Sequence, residues 1–417
     1  MLAYSGGLDT SCQLRYLSKE MGFEVVAYIA DLGQDDVLDK EAIDTICQKA
    51  ELSGAYAFYC EDLKGEFVKD YVFECIRANA LYEGRYLLGT AMARPCIAKR
   101  QVEIAHLENA TYVSHGSTGK GNDQVRFEVC YLGMDPTLQC ITLWRQREYL
   151  EKFEGRQDLI DYASAHGIPV AQTKEADGGA SFSTDENIMH ISYESGVLED
   201  PALPGWTTEY PAEMWVKTAA IPDTPDTPTN LTIEFEKGYP TKVTDHTNGV
   251  TLTDALELFI YLNKVGGENG VGRLDIVENR FIGMKSRGCY ETPGGHILFQ
   301  SHLDLETLTI DREVMRIRDT LSIKYAELVY NGYWFAPEMQ FLKVAMEHAQ
   351  QVVTGKVDVQ LLKGNTIMRG RSSPVSLYNK ELVSMDVEGG FNPEISTGFI
   401  QTLSTRIKAS AARSKMM

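Results

Sequence analysis

The sequence predicts an α/β protein, with an open parallel sheet carrying helices on both faces in its N-terminal part, then an α+β region and a C-terminal arm. Short apolar runs alternate with helix-like segments in the first part of the chain, the order that builds a parallel sheet with crossover helices. A proline-rich break at Ile221 to Asn230 (IPDTPDTPTN) is incompatible with helix and is followed by period-two alternation. The 417 residues also exceed one ordinary core, at about 150 residues per domain.

The first strand must lie just ahead of Ser5. Only Met1 and Leu2 precede Ala3, so that strand is stunted or the chain start is incomplete. Phe23–Asp31 is an apolar run between Gly22 and Gly33, suited to a buried parallel strand. Ala55–Cys60, Thr111–His115 and Gln139–Leu143 read the same way. Helices are expected at Thr10–Glu20, Asp39–Glu51, Gly65–Ala80, Pro95–Glu108 and Gln157–His166, with a loop at Thr173–Ser183. Beyond the proline break, Leu231, Ile233 and Phe235 mark a half-exposed strand, with Lys242–Thr244 as its partner. Thr253 reads as the cap of an amphipathic helix that turns Ala255, Leu256, Leu258, Phe259, Leu262 and Val265 inward. Helices at Asp311–Tyr330 and Pro337–Val353 and a hairpin near Val357–Arg369 follow. Ala409–Met417 is a small basic helix or frayed tail, lying on the surface or against a neighbouring subunit.

With 43% hydrophobic and 24% charged residues, the chain has the profile of a soluble globular protein. No apolar stretch approaches the roughly 18 residues of a membrane span, and no secretory leader is visible. The 8 cysteines include no Cys-x-x-Cys pair, which disfavours a zinc ribbon or dithiol site and fits a reducing, cytoplasmic setting. A net charge of -19 repels phosphate backbones and argues against a nucleic-acid partner. It does not prevent local amides and cations from capturing a small phosphate.

Two glycine loops carry the chemistry. Ala3-Tyr4-Ser5-Gly6-Gly7-Leu8-Asp9-Thr10-Ser11 runs from the first strand into a helix. Gly6 and Gly7 admit close approach to a ligand, while Asp9, Thr10 and Ser11 sit where free amides and hydroxyls meet an anion. An ordinary capped turn is the plainer explanation, but the full string resembles the pyrophosphate loop of the N-type ATP pyrophosphatases. It is not a Walker A loop, and no Gly-x-Gly-x-x-Gly follows a strand. The second loop, Ser114-His115-Gly116-Ser117-Thr118-Gly119-Lys120-Gly121-Asn122-Asp123-Gln124-Val125-Arg126-Phe127, also follows an expected strand. Three glycines among Lys, Arg, Asp, amides and hydroxyls are costly for a mere connection.

Between these loops lie Ala80 to Thr90 (ALYEGRYLLGT) and Ala93-Arg94-Pro95; beyond them come Asp185-Glu186-Asn187, His190 to Glu194, Gly270 to Arg273, Ile276 to Pro293 and Ser376 to Asn379. As a set spanning nearly the whole chain, these segments resemble the argininosuccinate synthase family. The resemblance implies an adenine nucleotide alpha hydrolase-like nucleotide domain at 1–167, a synthetase domain at 168–385 and an oligomerisation segment at 386–417. It implies condensation of citrulline with aspartate through a citrullyl-adenylate, releasing AMP and pyrophosphate, in a cytoplasmic homotetramer of arginine biosynthesis. ATP is then a substrate that carries its own Mg²⁺, with no metal held by the protein and no nucleic-acid or membrane partner.

Position by position, it implies ATP contacts from Ala3 to Ser11, Ala30 and Ser114 to Asn122. Citrulline contacts would come from Tyr86, Ala91, Asn122, Arg126, Ser183, Ser192, Glu278 and Tyr290. Aspartate contacts would come from Thr118, Asn122 and Asp123, with Asp123 and Arg126 closest to the chemistry and Arg126 suited to a carboxylate fork. Singly each has a plainer explanation: core aromatics for Tyr86 and Tyr290, an ion pair with Arg280 for Glu278, helix caps for Ser183 and Ser192. His115 and His190 read as structural, and no general base is named. Ala91 stands where many members have serine, and the segments Thr173–Ser183 and Gly205–Thr218 depart from the family pattern. A pyrophosphate-loop enzyme of tRNA thiolation or amidation would want paired cysteines or a basic face; a nucleotide-binding sensor would draw only on the short start and Ala91.

Overall fold

In the computed structural model, which describes residues 1–37, 39–119, 121–169, 182–203, 210, 214–385 and 390–415, residues 1–374 form one compact unit and residues 375–417 a second. The first unit opens with β1 (Leu2–Ala3), α1 (Leu8–Arg15), β2 (Val25–Asp31), α2 (Lys40–Ser53) and β3 (Ala55–Asp62). Next come α3 (Gly89–Leu107), β4 (Tyr112–Ser114), α4 (Asp123–Met134), β5 (Gln139–Ile141) and α5 (Arg156–Ala165). These five strands form a sheet in the order β3-β2-β1-β4-β5, parallel at every pairing. All seven residues of β2 are buried, as two covered faces require. The expected helix to Glu20 ends as α-helix at Arg15 and continues as a π-helical turn; that expected over 65–80 is likewise divided between a π turn (Phe67–Val72) and Phe73–Arg77.

The chain then supplies β6 (Ser183–Glu186), β7 (Ile191–Glu194), β8 (Thr229–Glu236), β9 (Tyr239–Asp245), β10 (Val250–Leu252), α6 (Ala255–Glu268), β11 (Arg273–Asn279) and β12 (Lys285–Glu291). It continues with α7 (Pro293–Thr309), α8 (Arg312–Asn331), α9 (Pro337–Gln350), β13 (Gly355–Leu362) and β14 (Asn365–Ser372). Two antiparallel sheets result, ordered β10-β9-β8-β13-β14 and β11-β12-β7-β6. The strand pair expected across 231–244 is present, with Ile233 opposite Val243. The helix after the proline break is capped by Asp254, not Thr253: its carboxylate accepts from the amides of Leu256 and Glu257, a stronger acceptor one residue closer to the helix. The loop expected at Thr173–Ser183 yields at its end to β6, because Ser183 pairs with Glu194; residues 173–181 lie outside the described residues.

In the second unit, α10 (Ile395–Ser414) has no buried residue. It begins well before the basic tail expected from Ala409 onward. Ile395, Phe399, Leu403 and Ile407 are all exposed and recur every four residues, an apolar stripe along one side of the helix.

Candidate active site

The strand order places a topological switch point between β1 and β4, since the chain runs outward from β1 to β3 and returns beyond it at β4. Ligands of open α/β sheets bind in the crevice at the carboxyl ends of such strands. Both glycine loops lie there: one follows β1, the other β4. They touch, because a Cβ on Gly116 would meet the Thr10 Cγ2 at 2.5 Å.

In the first loop Gly6 takes φ +75° and rests on Ile46, while its carbonyl accepts from the Lys49 Nζ at 2.7 Å. Ser5 Oγ lies 3.1 Å from Thr10 Oγ1. Tyr4 and Ser11 are buried and bonded to each other through their hydroxyls at 3.0 Å, and Ser11 also donates to Gly7 O. Their side chains therefore hold the turn from beneath. The amides of Leu8, Asp9 and Thr10 open α1 and have no partner inside the helix, which aims a cluster of donors and the positive end of the helix into the crevice. Burial raises the Asp9 carboxyl, against the charge of Arg156. Ala3 ends β1, and Ala30 is buried near the carboxyl end of the adjacent β2.

The second loop is anchored from behind. His115 is fully buried; its Nδ1 accepts from the Ser117 amide at 3.2 Å and its Nε2 faces Glu128 at 3.2 Å. The first of these bonds requires a bare Nδ1, so Nε2 carries the proton and donates to the carboxylate. Glu128, Cys140 and His115 bring their ligand atoms within 4.8 Å of one another. The charge there is already met, because Arg145 Nη2 donates to both Glu128 oxygens at 2.5 and 2.7 Å. Burial opposes ionisation of Glu128, yet its bonds to His115, Arg145 and Thr142 bring it down to about 2. Thr118, Gly119 and Gly121 continue the loop; Gln124 Nε2 ties the Gly119 and Gly121 carbonyls to α4. Lys120 lies outside the described residues.

Beyond the second loop opens a cleft of about 360 Å³, walled on one side by α3 and α4 and on the other by the β11-β12-β7-β6 sheet. Asp123 begins α4 and receives Arg94 Nε and Nη2 at 3.0 and 2.8 Å and Arg126 Nη1 at 2.8 Å. Burial alone would raise its pKa, but the two guanidiniums hold it well below the usual carboxylate range. Arg94 also bonds Asp185 on β6, whose carboxyl is raised by burial despite that cation. Arg126 donates its Nε to the Tyr330 carbonyl at 2.7 Å and lies over that ring at 4.9 Å. Part of its guanidinium fork is thus engaged within the protein, and the residue also lines the cleft.

Tyr86 and Tyr290 stack at 4.2 Å between centroids on the cleft wall. Ser192 is buried there and donates to the Asp185 carbonyl. Glu278 is buried and does not pair with Arg280, which binds Glu194 instead at 2.5 Å. Its Oε1 accepts from Tyr330, and its Oε2 has no hydrogen-bond partner among the described residues. Ser183 and Ser192 are strand residues, not helix caps. Ser183 is exposed on β6, while Ala91 is fully buried inside α3 and presents no surface to the cleft. His190 is buried, pulled down to about 3 by burial, and meets Thr90 Oγ1 at 3.0 Å; its ring packs on Gly89. Arg94, Asp185 and Tyr330 were not among the site residues expected. The first two lie in segments the resemblance rests on, whereas Tyr330 sits in an apolar helix end with no local signal.

Comparison with known proteins agrees with the geometry. Residues 1–169 match the profile of the arginosuccinate synthase N-terminal HUP domain, and residues 182–410 that of the arginosuccinate synthase C-terminal domain. The argininosuccinate synthase of Thermotoga sp. (strain RQ2) is 56% identical over 409 residues, covering 98% of this chain and 96% of its own. Those of Homo sapiens and Gallus gallus are each 52% identical over 408 residues, covering 98% of this chain and 95% and 94% of theirs. With both halves matched and relatives this similar along nearly the whole length, the chain is an enzyme of the argininosuccinate synthase family.

Proposed function

We propose that the protein condenses L-citrulline with L-aspartate at the expense of ATP, giving argininosuccinate, AMP and pyrophosphate as a step of arginine biosynthesis. The observation that carries this reading is the contact between the two glycine loops at the switch point, with a charged cleft opening beside the second. The amides of α1 receive the outer phosphates, and the second loop forms the facing wall. Citrulline lies in the cleft with Tyr86, Ser192, Glu278 and Tyr290 around it: the Glu278 carboxylate suits an ammonium, and the guanidinium of Arg126, which lines the cleft, suits a carboxylate. Its ureido oxygen attacks the α-phosphorus as pyrophosphate leaves. The aspartate amine, held by Thr118, Asn122 and Asp123, then attacks the ureido carbon and expels AMP, losing one proton to the departing phosphate or to solvent. The protein supplies position and fixed charge. Mg²⁺ travels on the nucleotide, where it neutralises phosphate charge.

Residues 1–167 form the nucleotide domain and also lend Tyr86, Thr118, Asn122, Asp123 and Arg126 to the amino acids, 168–385 form the synthetase domain, and 386–417 serve assembly. The exposed stripe on α10 supports a homotetramer in which this segment covers another subunit; particles of only about the 46.6 kDa chain mass in solution would reject it. A cytoplasmic setting fits the eight free thiols, and among the described residues no helix is long and apolar enough to cross a membrane. The net charge of -19 repels phosphate backbones and argues against a nucleic-acid partner. The decisive experiment is a pyrophosphate-release assay with each substrate omitted in turn. Sustained release is expected only with ATP, citrulline and aspartate together, and at most one pyrophosphate per site without aspartate. Full release without aspartate would mean another acceptor, and nucleotide binding without turnover would mean a sensor.

A further inference from the structure

The side chain of Tyr330 belongs to neither glycine loop, yet it joins the second loop to the acid at the far side of the cleft. Its hydroxyl accepts from Asn122 Nδ2 at 3.0 Å and donates to Glu278 Oε1 at 3.0 Å. The phenol is fully buried and has little freedom: its ring stacks on Tyr82 at 3.7 Å with planes 5° apart. Its own carbonyl holds the Arg126 Nε. Helix α8 ends at Gly332 with φ +88°, and a Cβ there would lie 2.5 Å from the Arg126 Cα, so the helix end is seated directly on α4.

A phenol has one proton to donate. With Asn122 supplying the incoming hydrogen bond, the Tyr330 proton is committed to Glu278 Oε1. That fixes the carboxylate rotation and leaves Oε2 buried and without a hydrogen-bond partner among the described residues, beside the Tyr290 hydroxyl in a side chain that lines the cleft. Asn122 is fixed in turn, because its Oδ1 accepts from the Phe281 amide at 3.0 Å.

We propose that Tyr330 is a positioning residue that aims the free oxygen of Glu278 at the substrate ammonium and ties this acid to the second loop. The inference rests on the citrulline reading of the cleft given above. Two consequences separate it from a merely structural role. Burial raises the Glu278 carboxyl above its ordinary value, while the Tyr330 hydroxyl pulls it down; without that hydroxyl it rises further. The first glycine loop has no bond to Tyr330 among the described residues, and in the second Asn122 keeps the bond from the Phe281 amide.

Tyr330→Phe removes one oxygen and retains the ring stack on Tyr82 and the ring under Arg126. The expected result is a KM for citrulline raised about tenfold, the weight of one hydrogen bond to a charged group, with the KM for ATP within about twofold. The acid limb of kcat/KM for citrulline should move to higher pH. ATP binding by calorimetry, unchanged from wild type, will report that the variant is folded. The inference is overturned if the citrulline KM and the acid limb stay where they are, or if both KM values rise together with a lowered melting temperature. Failure of the underlying reading looks different: the wild-type protein would then release no pyrophosphate with citrulline and aspartate.

Discussion

Replacing Arg94 by methionine tests the electrostatic core of the cleft. The guanidinium bridges Asp123 and Asp185, with side chains 15%, 27% and 32% exposed. Methionine fills the aliphatic volume and deletes the charge. Asp123 keeps Arg126 at 2.8 Å, but Asp185 loses its cation altogether. Removing one partner of a buried pair costs about 3–5 kcal/mol, and the partial exposure of both acids reduces this to about 2–3 kcal/mol. Since the damage is an unpaired carboxylate, Asp185→Asn in the same chain should restore at least half of it. The double-variant loss should therefore fall short of the sum of the single losses by about 1 kcal/mol or more. The pH dependence has a fixed sign. Asp185 is already raised by burial, against the pull of Arg94, and it rises further without that cation. A folded-state carboxyl above its unfolded value binds more protons when folded, so stability is lost as pH rises from the unfolded value through the folded one. The Arg94→Met deficit should be fullest at neutral pH and shrink toward pH 4. Urea unfolding of the four proteins at pH 7.5 and pH 5, set as round working values about the ordinary carboxyl range, checks both points. Strictly additive losses, or a deficit independent of pH, would refute the reasoning.

Three further outcomes are expected. Gly89→Ala places a Cβ 2.3 Å from the buried His190 ring and should cost about 3 kcal/mol or more, whereas Gly65→Ala, with nothing within 4 Å, should be neutral or stabilising by up to about 1 kcal/mol; thermal unfolding compares them. Glu306 is fully buried and accepts from Asn79 Nδ2, Arg318 Nη1 and Gln350 Nε2 at 2.6, 2.5 and 2.7 Å, so Glu306→Gln should lose about 3–5 kcal/mol in urea unfolding, and a loss below about 1 kcal/mol would contradict this. Lys49→Met removes the cation on the Gly6 carbonyl and should raise the KM for ATP about five- to tenfold while leaving that for citrulline unchanged; equal changes in both would show that it does not act through the first loop.

The parallel sheet was legible because its signals are local. Val25–Ala30 is apolar throughout and the whole strand to Asp31 is buried, as a strand covered on both faces must be, and Gly6, with φ +75°, marks a backbone that favours glycine. Helix α7 was not among the expected helices, and its opening Pro293-Gly294-Gly295 is a weak helix signal. In the structure a Cβ on either glycine would strike Asn263 Oδ1 at 2.7 Å or Met189 Cε at 2.5 Å, so these glycines admit neighbours to a helix and do not end one. The cap moved from Thr253 to Asp254 because two adjacent residues both offer an acceptor, and only the backbone direction selects between them.

The site divides the same way. The two loops could be named from residue type and motif, because each carries its chemistry within a short segment, whereas Asp123, Arg126, Glu278 and the paired tyrosines were reached only through the family resemblance of the segments that hold them. What those groups do to one another was decided by partners far along the chain. Arg94 meets an acid 91 residues away, and Tyr330 meets Glu278 and Asn122 across 52 and 208 residues. Periodicity and motif report what a few neighbouring residues can form. Which carboxylate is held ionised, which oxygen is left free and which serine faces the cleft depend on through-space contacts that exist only once the sheets and helices have packed.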